Sequence, residues 1–384
     1  NDSPWIRAIA FLFLVFAVVG VFHALLFRKL TVDDGFAGVR KKLAPNTLRF
    51  RSDGTFKILQ VADMHFGNGK LTRCRDVLDV EFEHCSDLNT TRFLQRMIEI
   101  ENPDFVAFTG DNIFGRSSSD AAESMFQAFL PVMKSSVPWG AVLGNHDQES
   151  TMSREEIMPL ISLMDFSMSS TFPDTFNITE DDSKTKIDGF GNYNLRINGA
   201  PDSALTNNTV LNLYFLDSGD RAVVNGIRTY DWIKESQLSW LRRVSQSLKQ
   251  QHPVPSVAFF HIPIPELRRG PLEEVVGEYK EYVSCSVVNS GVLKALKSMG
   301  DVKAVFIGHD HKNDYCGKLQ GIWFCYGGGF GYHGYGTAGR PRRARVILGE
   351  LERGPRSWGR IRRIRTWKRL DDGDGTKVDE QILW

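Results

Sequence analysis

The chain has 384 residues, of which 42% are hydrophobic and 24% are charged. This is the composition of an ordinary globular protein with enough length for a large core. Its formal net charge of +1 excludes a whole-chain field that would attract nucleic acid or acidic substrates. Nucleic acid is therefore not an expected partner.

The N-terminal part contains an apolar run, AIAFLFLVFAVVGVFHALLF, at residues 8–27. The run is about as long as a membrane span and is long for the apolar core of a signal peptide. It predicts a signal peptide or an uncleaved anchor over residues 1–30. A linker over 31–50 and one main domain over 51–384 are expected to follow. Any contact with a membrane is expected only through this first segment.

The signals for cellular compartment point in two directions. By the positive-inside rule, Arg28 and Lys29 after the run would place the main domain in the cytosol. The glycosylation motifs at Asn89, Asn177 and Asn207 would accept glycans in a secretory lumen, although each motif alone is weak. We expect a secreted or extracellular protein, or one in the secretory lumen, with membrane anchoring as an alternative.

The five cysteines agree with an oxidising compartment. Cys74 lies close to Cys85 in the sequence, and Cys316 lies close to Cys325, so each pair could close a short loop as a disulfide. Cys285 is then left over. Five buried free thiols are the alternative, because a sequence alone does not establish connectivity.

From Phe56 onward, short apolar runs alternate with amphipathic stretches. The predicted strands are 56–62, 104–109, 139–143, 210–216, 256–260, 302–307, 343–352 and 359–370. The predicted helices are 91–102, 121–134 and 234–251. This alternation predicts an α/β domain with a mostly parallel core sheet. The polar segment 165–209 is expected to be a surface excursion, and the basic region 340–369 to be solvated sheet surface.

Five of these strands are followed by polar or imidazole side chains. They are Asp63 and His65, then Asp111, then Asn145, His146 and Asp147, then His261, and finally His309 and His311. A lone Asp or His at such a place is usually a turn former or a structural residue. Five of the nine histidines fall at these positions, however, and the carboxyl ends of strands form the ligand crevice in α/β sheets. Their joint occurrence favours a metal site.

The residue types also define the chemistry. Imidazole, carboxylate and amide oxygen without thiolate suit Zn, Fe or Mn, and there are too many ligands for one tetrahedral zinc. Two ions sharing a carboxylate fit better. Such a pair clamps both oxygens of an in-line displacement at phosphorus and lowers the pKa of a shared water toward ~7. The expected nucleophile is this metal-bridged hydroxide, since the chain has neither a G-x-S-x-G elbow nor a P-loop.

The ordered blocks D-x-H, G-D, G-N-H-D, an isolated H and G-H-x-H resemble the calcineurin-like metallophosphoesterase superfamily. The likeness is greatest to the short purple acid phosphatase-like proteins of plants, which GGGFGYHGYGTAGRPRRARV (327–346) and WKRLDDGDG resemble as well. The resemblance covers roughly residues 50–384. It implies a four-layer α/β/β/α sandwich with a dinuclear metal site at the strand C-terminal ends.

The resemblance also implies a role for each residue. Asp63, His65 and His311 would bind the first ion, Asp111 would bridge, and Asn145, His261 and His309 would bind the second. The expected ions are Fe and Zn, with Mn as an alternative. His146 would contact the phosphate or protonate the leaving oxygen, and Asp147 would orient it. Asn145 would also face the substrate. His333 either lines the substrate mouth or is a loop histidine without a role.

One block departs from the purple acid phosphatase pattern. Those enzymes have G-D-x-x-Y, in which the Tyr binds ferric iron, whereas this chain has Phe114. They also have Gly where this chain has His65, so His65 is expected to replace the missing ligand. The expected function is an acid phosphatase-like phosphomonoesterase acting on a phosphate ester. The alternatives are a phosphodiesterase on the same site and a catalytically inactive metal-binding glycoprotein.

Overall fold

The structure is a computed structural model that describes residues 5, 11–21, 40–45, 47–173, 186–249, 254–355 and 357–384. The chain divides into two compact units, Asn1–Lys41 and Lys42–Trp384. In the first unit, residues 11–21 are helical with exposed side chains. Among the described helices, none has the length and apolarity that a membrane span requires. Most of segment 1–30 and part of linker 31–50 lie outside the described residues, so both remain predictions.

The second unit is built from strands and helices in alternation. Its strands are β1 (Leu48–Arg49), β2 (Thr55–Val61), β3 (Phe105–Thr109), β4 (Trp139–Val142), β5 (Tyr193–Asn198), β6 (Thr209–Phe215), β7 (Arg221–Val224), β8 (Ile227–Tyr230), β9 (Ser256–Phe259), β10 (Glu273–Val276), β11 (Val302–Ile307), β12 (Cys316–Leu319), β13 (Ile322–Tyr326), β14 (Arg343–Arg353), β15 (Trp358–Leu370) and β16 (Lys377–Ile382). Its helices are α1 (Asp79–Phe82), α2 (Asp87–Glu101), α3 (Ala121–Ser135), α4 (Arg154–Leu163), α5 (Glu235–Lys249), α6 (Glu266–Arg269) and α7 (Val292–Met299).

These strands form two large mixed sheets and one hairpin. The first sheet has the order β16-β15-β14-β2-β3-β4, and the second has the order β1-β5-β6-β9-β11-β13-β12-β10. Strands β2, β3 and β4 are parallel, as are β6, β9, β11 and β13. Among the described strands, β7 and β8 pair only with each other. The central strands of each sheet run parallel, so their carboxyl ends lie at the same end of that sheet. The loops that follow these ends carry the side chains described below.

The core lies between the sheets and under the helices. Along β6, Leu213 and Phe215 belong to the cluster between the two sheets, whereas Tyr214 belongs to the cluster under α5 and α7. This alternation follows from the two-residue period of a strand. The Phe105 and Phe215 rings, one from each sheet, lie 6.0 Å apart. Helices α2 and α3 cover the other face of the first sheet with Phe93 and Phe129. The predicted α/β/β/α sandwich is therefore confirmed.

Two expectations about particular segments are wrong in part. The polar segment 165–209 contains β5, which pairs antiparallel with β6 and buries Tyr193; residues 174–185 lie outside the described part. In the basic region, Arg360 and Arg362 are exposed as expected. Arg345 and Lys368, however, are 1% exposed. Lys368 pairs with Asp314 and Arg345 donates to main-chain carbonyls, which compensates these cations for the loss of water.

Candidate metal centre

The site lies at the carboxyl ends of five strands. Asp63 and His65 follow β2, Asp111 follows β3, and His309 follows β11. The backbone φ angles of these four residues are +60°, +48°, +48° and +80°. Non-glycine residues adopt this left-handed conformation at a cost of roughly 1–2 kcal/mol each. Such strain clusters at functional sites, where the surrounding fold holds it in place.

Two groups of buried side chains meet here. The first comprises Asp63, His65, Asp111 and His311, and the second comprises Asp111, His261 and His309. The potential ligand atoms within each group lie within 4.8 Å of one another. The Oδ2 atom of Asp111 is 3.4 Å from His65 Nε2 and 3.2 Å from His261 Nε2. One carboxylate oxygen therefore faces both groups, as a bridging ligand must.

Hydrogen bonds outside the groups set the tautomers of two histidines. His261 Nδ1 lies 2.9 Å from the carbonyl oxygen of Thr109, and His311 Nδ1 lies 2.9 Å from that of Tyr335. A carbonyl oxygen only accepts, so each Nδ1 carries a proton. In the neutral ring, Nε2 then presents a lone pair to the cluster. His311 Nε2 faces Asp63 Oδ1 at 3.4 Å, an arrangement of two electron-rich atoms that requires a cation or a proton between them.

The remaining donors of the second group converge in the same way. His309 Nδ1 lies 3.3 Å from His261 Nε2, which lies 3.3 Å from Asn145 Oδ1. Burial opposes the charged form of His261, but Asp111 and Asp63 more than offset it and raise the pKa of His261 to about 9. The carboxylates thus attract positive charge to this point, and a metal ion supplies it as well as a proton does.

An unsatisfied polar atom supports the same fit. Within the described part of the chain, the buried His65 Nε2, which lies 3.4 Å from Asp111 Oδ2, forms no hydrogen bond. Burial lowers the pKa of His65 to about 4 and that of His309 to about 3. Both rings are consequently neutral near pH 7, which is the form that binds metals. The imidazole nitrogens and carboxylate oxygens of the two groups fit a pair of borderline or hard cations.

Two glycines let the loops approach so closely. A Cβ atom on Gly144 would lie 2.1 Å from Asp111 Oδ1. Gly110 has a φ of +90°, and a Cβ atom there would lie 2.6 Å from His261 Nδ1. The Gly-Asp and Gly-Asn dipeptides that end β3 and β4 are therefore packing requirements of the site.

His146 lies beside the two groups, and the partner predicted for it is wrong. Asp147 accepts hydrogen bonds from the backbone nitrogens of Ile113 at 2.9 Å and Gly144 at 2.7 Å, so its carboxylate fixes the two loops. Glu149 Oε2 instead lies 2.7 Å from His146 Nδ1. The sequence signal for this pair is the three-residue spacing, which brings side chains together in a tight turn.

The structure also contradicts a substrate-lining role for His333. Its Nδ1 lies 2.7 Å from the carbonyl oxygen of Arg73, and its Nε2 lies 2.9 Å from Ser117 Oγ. Both ring nitrogens are thus occupied by protein partners, and the residue is 8% exposed. His333 ties the glycine-rich loop after β13 to two neighbouring loops.

Phe114 occupies the wall of the site without offering a ligand atom. Its ring lies 5.4 Å from that of His65 and 4.7 Å from that of His146. The guanidinium of Arg75 covers it at 5.0 Å. His65 directs Nε2 into the first group, at 3.4 Å from Asp111, so an imidazole is available where no tyrosine is.

The sequence reasoning missed the residues that support His311 and its neighbours. The ring of Tyr335 stacks on His311 at 3.9 Å, and its hydroxyl donates to Glu281 at 2.9 Å. Asp310 turns away from the cluster and accepts from the hydroxyl of Tyr326 at 2.8 Å and the backbone of Ser284 at 3.2 Å. Such outer contacts fix the orientation of ligands.

Disulfides close two short loops. Cys74 is bonded to Cys85, and Cys316 is bonded to Cys325 across the β12–β13 pair. Cys285 is buried and, among the described cysteines, is the one that remains free.

The glycosylation motifs differ in their surroundings. Asn207 is exposed in a turn before β6. Asn89 lies in the first turn of α2, where its amide oxygen accepts from Ser86 and Arg92; a helix is a poor setting for a glycan acceptor. Asn177 lies outside the described residues.

The fold and the site define a phosphoesterase-type protein in which an Asp/His cluster joins two sheets. Residues 56–313 match the family model described as calcineurin-like phosphoesterase, and the chain belongs to this family. The chain is 56% identical to a protein of Arabidopsis thaliana named probable inactive purple acid phosphatase 28, covering 99% of this chain and 96% of that protein.

Other relatives and one solved structure extend this picture. The chain is 49% identical to the Arabidopsis thaliana protein named probable inactive purple acid phosphatase 29, with 88% of each chain covered. It is 35% identical to phosphatase DCR2 of Saccharomyces cerevisiae over 88% of this chain and 57% of that protein. A dimetal phosphatase from Danio rerio superposes with a TM-score of 0.50 at 16% identity, covering 85% and 98% of the two chains. This last likeness concerns the fold alone.

Proposed function

We propose that this protein is a metal-dependent phosphoester hydrolase that acts on phosphomonoesters. The observation that carries the proposal is the complete, buried donor set at the meeting point of the two sheets, with one oxygen of Asp111 facing both groups. A chain that had lost catalysis would be free to lose such ligands, and the strained backbone that presents them would have no function.

The donor set assigns two ions. The first would be held by Asp63, His65 and His311, the second by Asn145, His261 and His309, and both by Asp111. Such a pair supplies Lewis-acid charge and a water of lowered pKa, and it clamps the oxygens of an in-line displacement. Fe and Zn, with Mn as an alternative, suit these donors. We expect a colourless protein, because Phe114 replaces the tyrosine on which the purple colour depends.

The side chains around the ions have tasks of their own. The loops after β2, β3 and β11 fix the ligands in a rigid, water-poor setting, which strengthens their electrostatic effect on the substrate. His146 is 21% exposed in its side chain and has Glu149 on Nδ1. Its Nε2 is not engaged by Glu149 and would hold the proton that passes to the leaving oxygen. Glu149 would stabilise the charged ring during this transfer.

Two other functions remain as alternatives. A phosphodiesterase needs the same clamp, so the ligand groups do not distinguish it. An inactive metal-binding glycoprotein has support from the names of the Arabidopsis thaliana relatives, which include the words probable inactive. We favour hydrolysis because His65 directs an imidazole nitrogen into the first ligand group. This nitrogen can replace the tyrosine ligand that is lost at Phe114.

The proposed location is the secretory pathway or the cell exterior. Two disulfides in the chain are typical of an oxidising compartment. Asn207 is the described glycosylation motif that lies exposed in a turn. A mobility shift on deglycosylation that the variant Asn207→Gln loses would support this location, whereas a wild-type protein without any shift would contradict it.

The function is tested by metal analysis and turnover together. The wild type, Asp111→Asn and the control Asp374→Asn, which removes an exposed carboxylate in the β15–β16 turn, are analysed for bound metal. Each is then assayed with 4-nitrophenyl phosphate and bis(4-nitrophenyl) phosphate. We expect two ions per chain and monoester turnover in the wild type and the control, and loss of both in Asp111→Asn.

Three outcomes would decide against the proposal. A wild-type protein that holds two ions and hydrolyses neither ester would be the inactive glycoprotein. A protein that hydrolyses the diester faster than the monoester would be a phosphodiesterase. A wild-type protein without bound metal would contradict the assignment of the site.

A further inference from the structure

The β7–β8 hairpin brings two side chains to the mouth of the metal centre. In the part of the chain that the structure describes, it pairs with neither large sheet. Its register places Arg221 opposite Tyr230 at the base. The ring of Tyr230 lies 4.4 Å from that of His309, edge to face. The base of the hairpin therefore lies over the second ligand group, while its tip at Asn225 and Gly226 points into solvent.

Arg221 is held there by several contacts through one end of its guanidinium. Its Nη1 donates to the carbonyl oxygen of Asn145 at 2.8 Å and forms an ion pair with Glu149 at 2.9 Å. Its other terminal nitrogen, Nη2, lies 3.5 Å from His146 Nε2. Of the described residues, none other approaches Nη2 as a polar partner, and the side chain is 39% exposed. A fixed cation thus keeps N–H donors available at the mouth.

Glu149 couples this cation to His146. One carboxylate oxygen lies 2.7 Å from His146 Nδ1, and the other lies 2.9 Å from Arg221 Nη1. Its side chain is 10% exposed, so the three groups form one partly buried unit. His146 Nε2 and Arg221 Nη2 consequently face the same space with fixed geometry. The N–H groups of the guanidinium, so placed, suit the oxygens of a phosphate group, which guanidinium binds with charge assistance.

We propose that Arg221 is a substrate-binding residue which, together with His146, holds the phosphate group and makes the site prefer a phosphomonoester dianion to a diester. This inference rests on the proposed function and adds to it the residue that makes the site prefer monoesters. A monoester has one more unesterified, charged oxygen than a diester. Arg221 would bind this oxygen while the two ions hold the others. A diester carries an esterified oxygen in that place and has one negative charge fewer.

The test measures phosphate binding separately from turnover. Inorganic phosphate is titrated calorimetrically into the metal-loaded full chain of the wild type, Arg221→Ala, Arg221→Lys and Arg228→Ala. Arg228 is an exposed cation on the other strand of the same hairpin, so its removal is the matched control for charge. Circular dichroism and metal analysis verify that each variant is folded and loaded.

We expect Arg221→Ala to weaken phosphate binding about 10- to 100-fold, as for loss of a charge-assisted hydrogen bond. Arg221→Lys should recover part of this affinity, and Arg228→Ala should remain within about twofold of the wild type. For Arg221→Ala, kcat/KM should fall by the same factor with 4-nitrophenyl phosphate and change less than about threefold with bis(4-nitrophenyl) phosphate.

Each outcome supports or overturns one part of the proposal. Phosphate affinity that is unchanged in Arg221→Ala, or that falls equally in Arg228→Ala, overturns the phosphate contact. An equal loss of kcat/KM for both esters overturns the substrate preference. A wild type that binds phosphate through Arg221 but hydrolyses nothing refutes the proposed function and retains the contact. A loaded wild type that binds no phosphate refutes the contact itself.

Discussion

Binding of a metal ion to the second ligand group, which comprises Asp111, His261 and His309, should release a proton from His261. In the metal-free protein, burial disfavours the charged ring, but Asp111 and Asp63 raise the pKa of His261 to about 9. At pH 7 the ring is therefore almost fully protonated. A metal ion takes the place of the proton at Nε2, because Nδ1 remains bonded to the carbonyl oxygen of Thr109.

The size of the effect follows from this pKa. Displacing a proton at a pH two units below the pKa costs about 2.7 kcal/mol. The apparent affinity at the second group should thus be about 50-fold weaker at pH 7 than at pH 9, where the ring is half protonated, and about one proton should be released per ion at pH 7. His65 and His309, whose pKa values are about 4 and 3, should release none at pH 7.

The assay is metal titration by calorimetry in buffers that differ in ionisation enthalpy, which counts protons. His261→Asn is the test variant and should lose the release. His252→Asn, a histidine outside the metal-binding blocks, is the control. Release of the same number of protons by wild type and His261→Asn, or no release from the wild type at pH 7, would refute the reasoning.

The same pKa fixes the sign of a stability effect. The folded-state value of about 9 lies above the model value of 6.5, so folding is favoured where His261 is protonated. This contribution of roughly 3 kcal/mol is complete below pH 6.5 and is lost as the pH rises through 9. Urea unfolding of the metal-free chain at pH 6.5 and 9 should show the decline, and a constant free energy of unfolding would contradict it.

Three further predictions concern single side chains. Glu149→Gln should lower kcat about 10- to 100-fold at unchanged metal content, because His146 loses its charged partner; unchanged kcat would count against this pair. Burial raises the pKa of Asp314, but its cationic neighbours, chiefly Lys368, lower it to about 2. The charged carboxylate should therefore contribute about 2 kcal/mol to the free energy of unfolding. This contribution is present above pH 3.8 and is lost as the pH falls through 2. Urea unfolding of Asp314→Asn at pH 7 should reveal a loss of at least that size, and a smaller one would be the contrary result. Gly144→Ala should abolish binding of both ions, since its Cβ atom would meet Asp111; full metal content would show that the loop can move.

The sequence predicted the central strands closely because their signal is local. The run 302–307 was expected to be a strand and is β11, Val302–Ile307, since an apolar run between a helix and a glycine has few other structures available. The sequence does not predict strand β5, because only Tyr193 and Ile197 of this strand are buried and polar residues alternate with its apolar ones. Whether such a pattern pairs with a sheet depends on a neighbour that is distant in the sequence.

The metal centre likewise combines features that the local sequence predicts with contacts that it does not predict. Asp147 was expected to hold His146 because it is adjacent in the chain, but adjacent side chains in a tight turn point in different directions. The loop conformation after β4 gives that position to Glu149. His333 was likewise considered for the substrate mouth, yet its two partners lie on loops more than 200 positions earlier. Contacts of this kind carry no local sequence signal.

The sequence by itself determined the α/β class, the positions of the central strands along the chain and the family, because strand periodicity and the residues that follow each strand are local properties. It also determined the chemistry of the donors. Only the tertiary structure decided that one oxygen of Asp111 faces both ligand groups, and that Glu149 and Arg221 stand beside His146. The contacts of Asp111 and Arg221 join chain segments far apart in sequence, and the packing of the two sheets against each other fixes their distances. The Glu149–His146 pair depends instead on the conformation of the loop after β4.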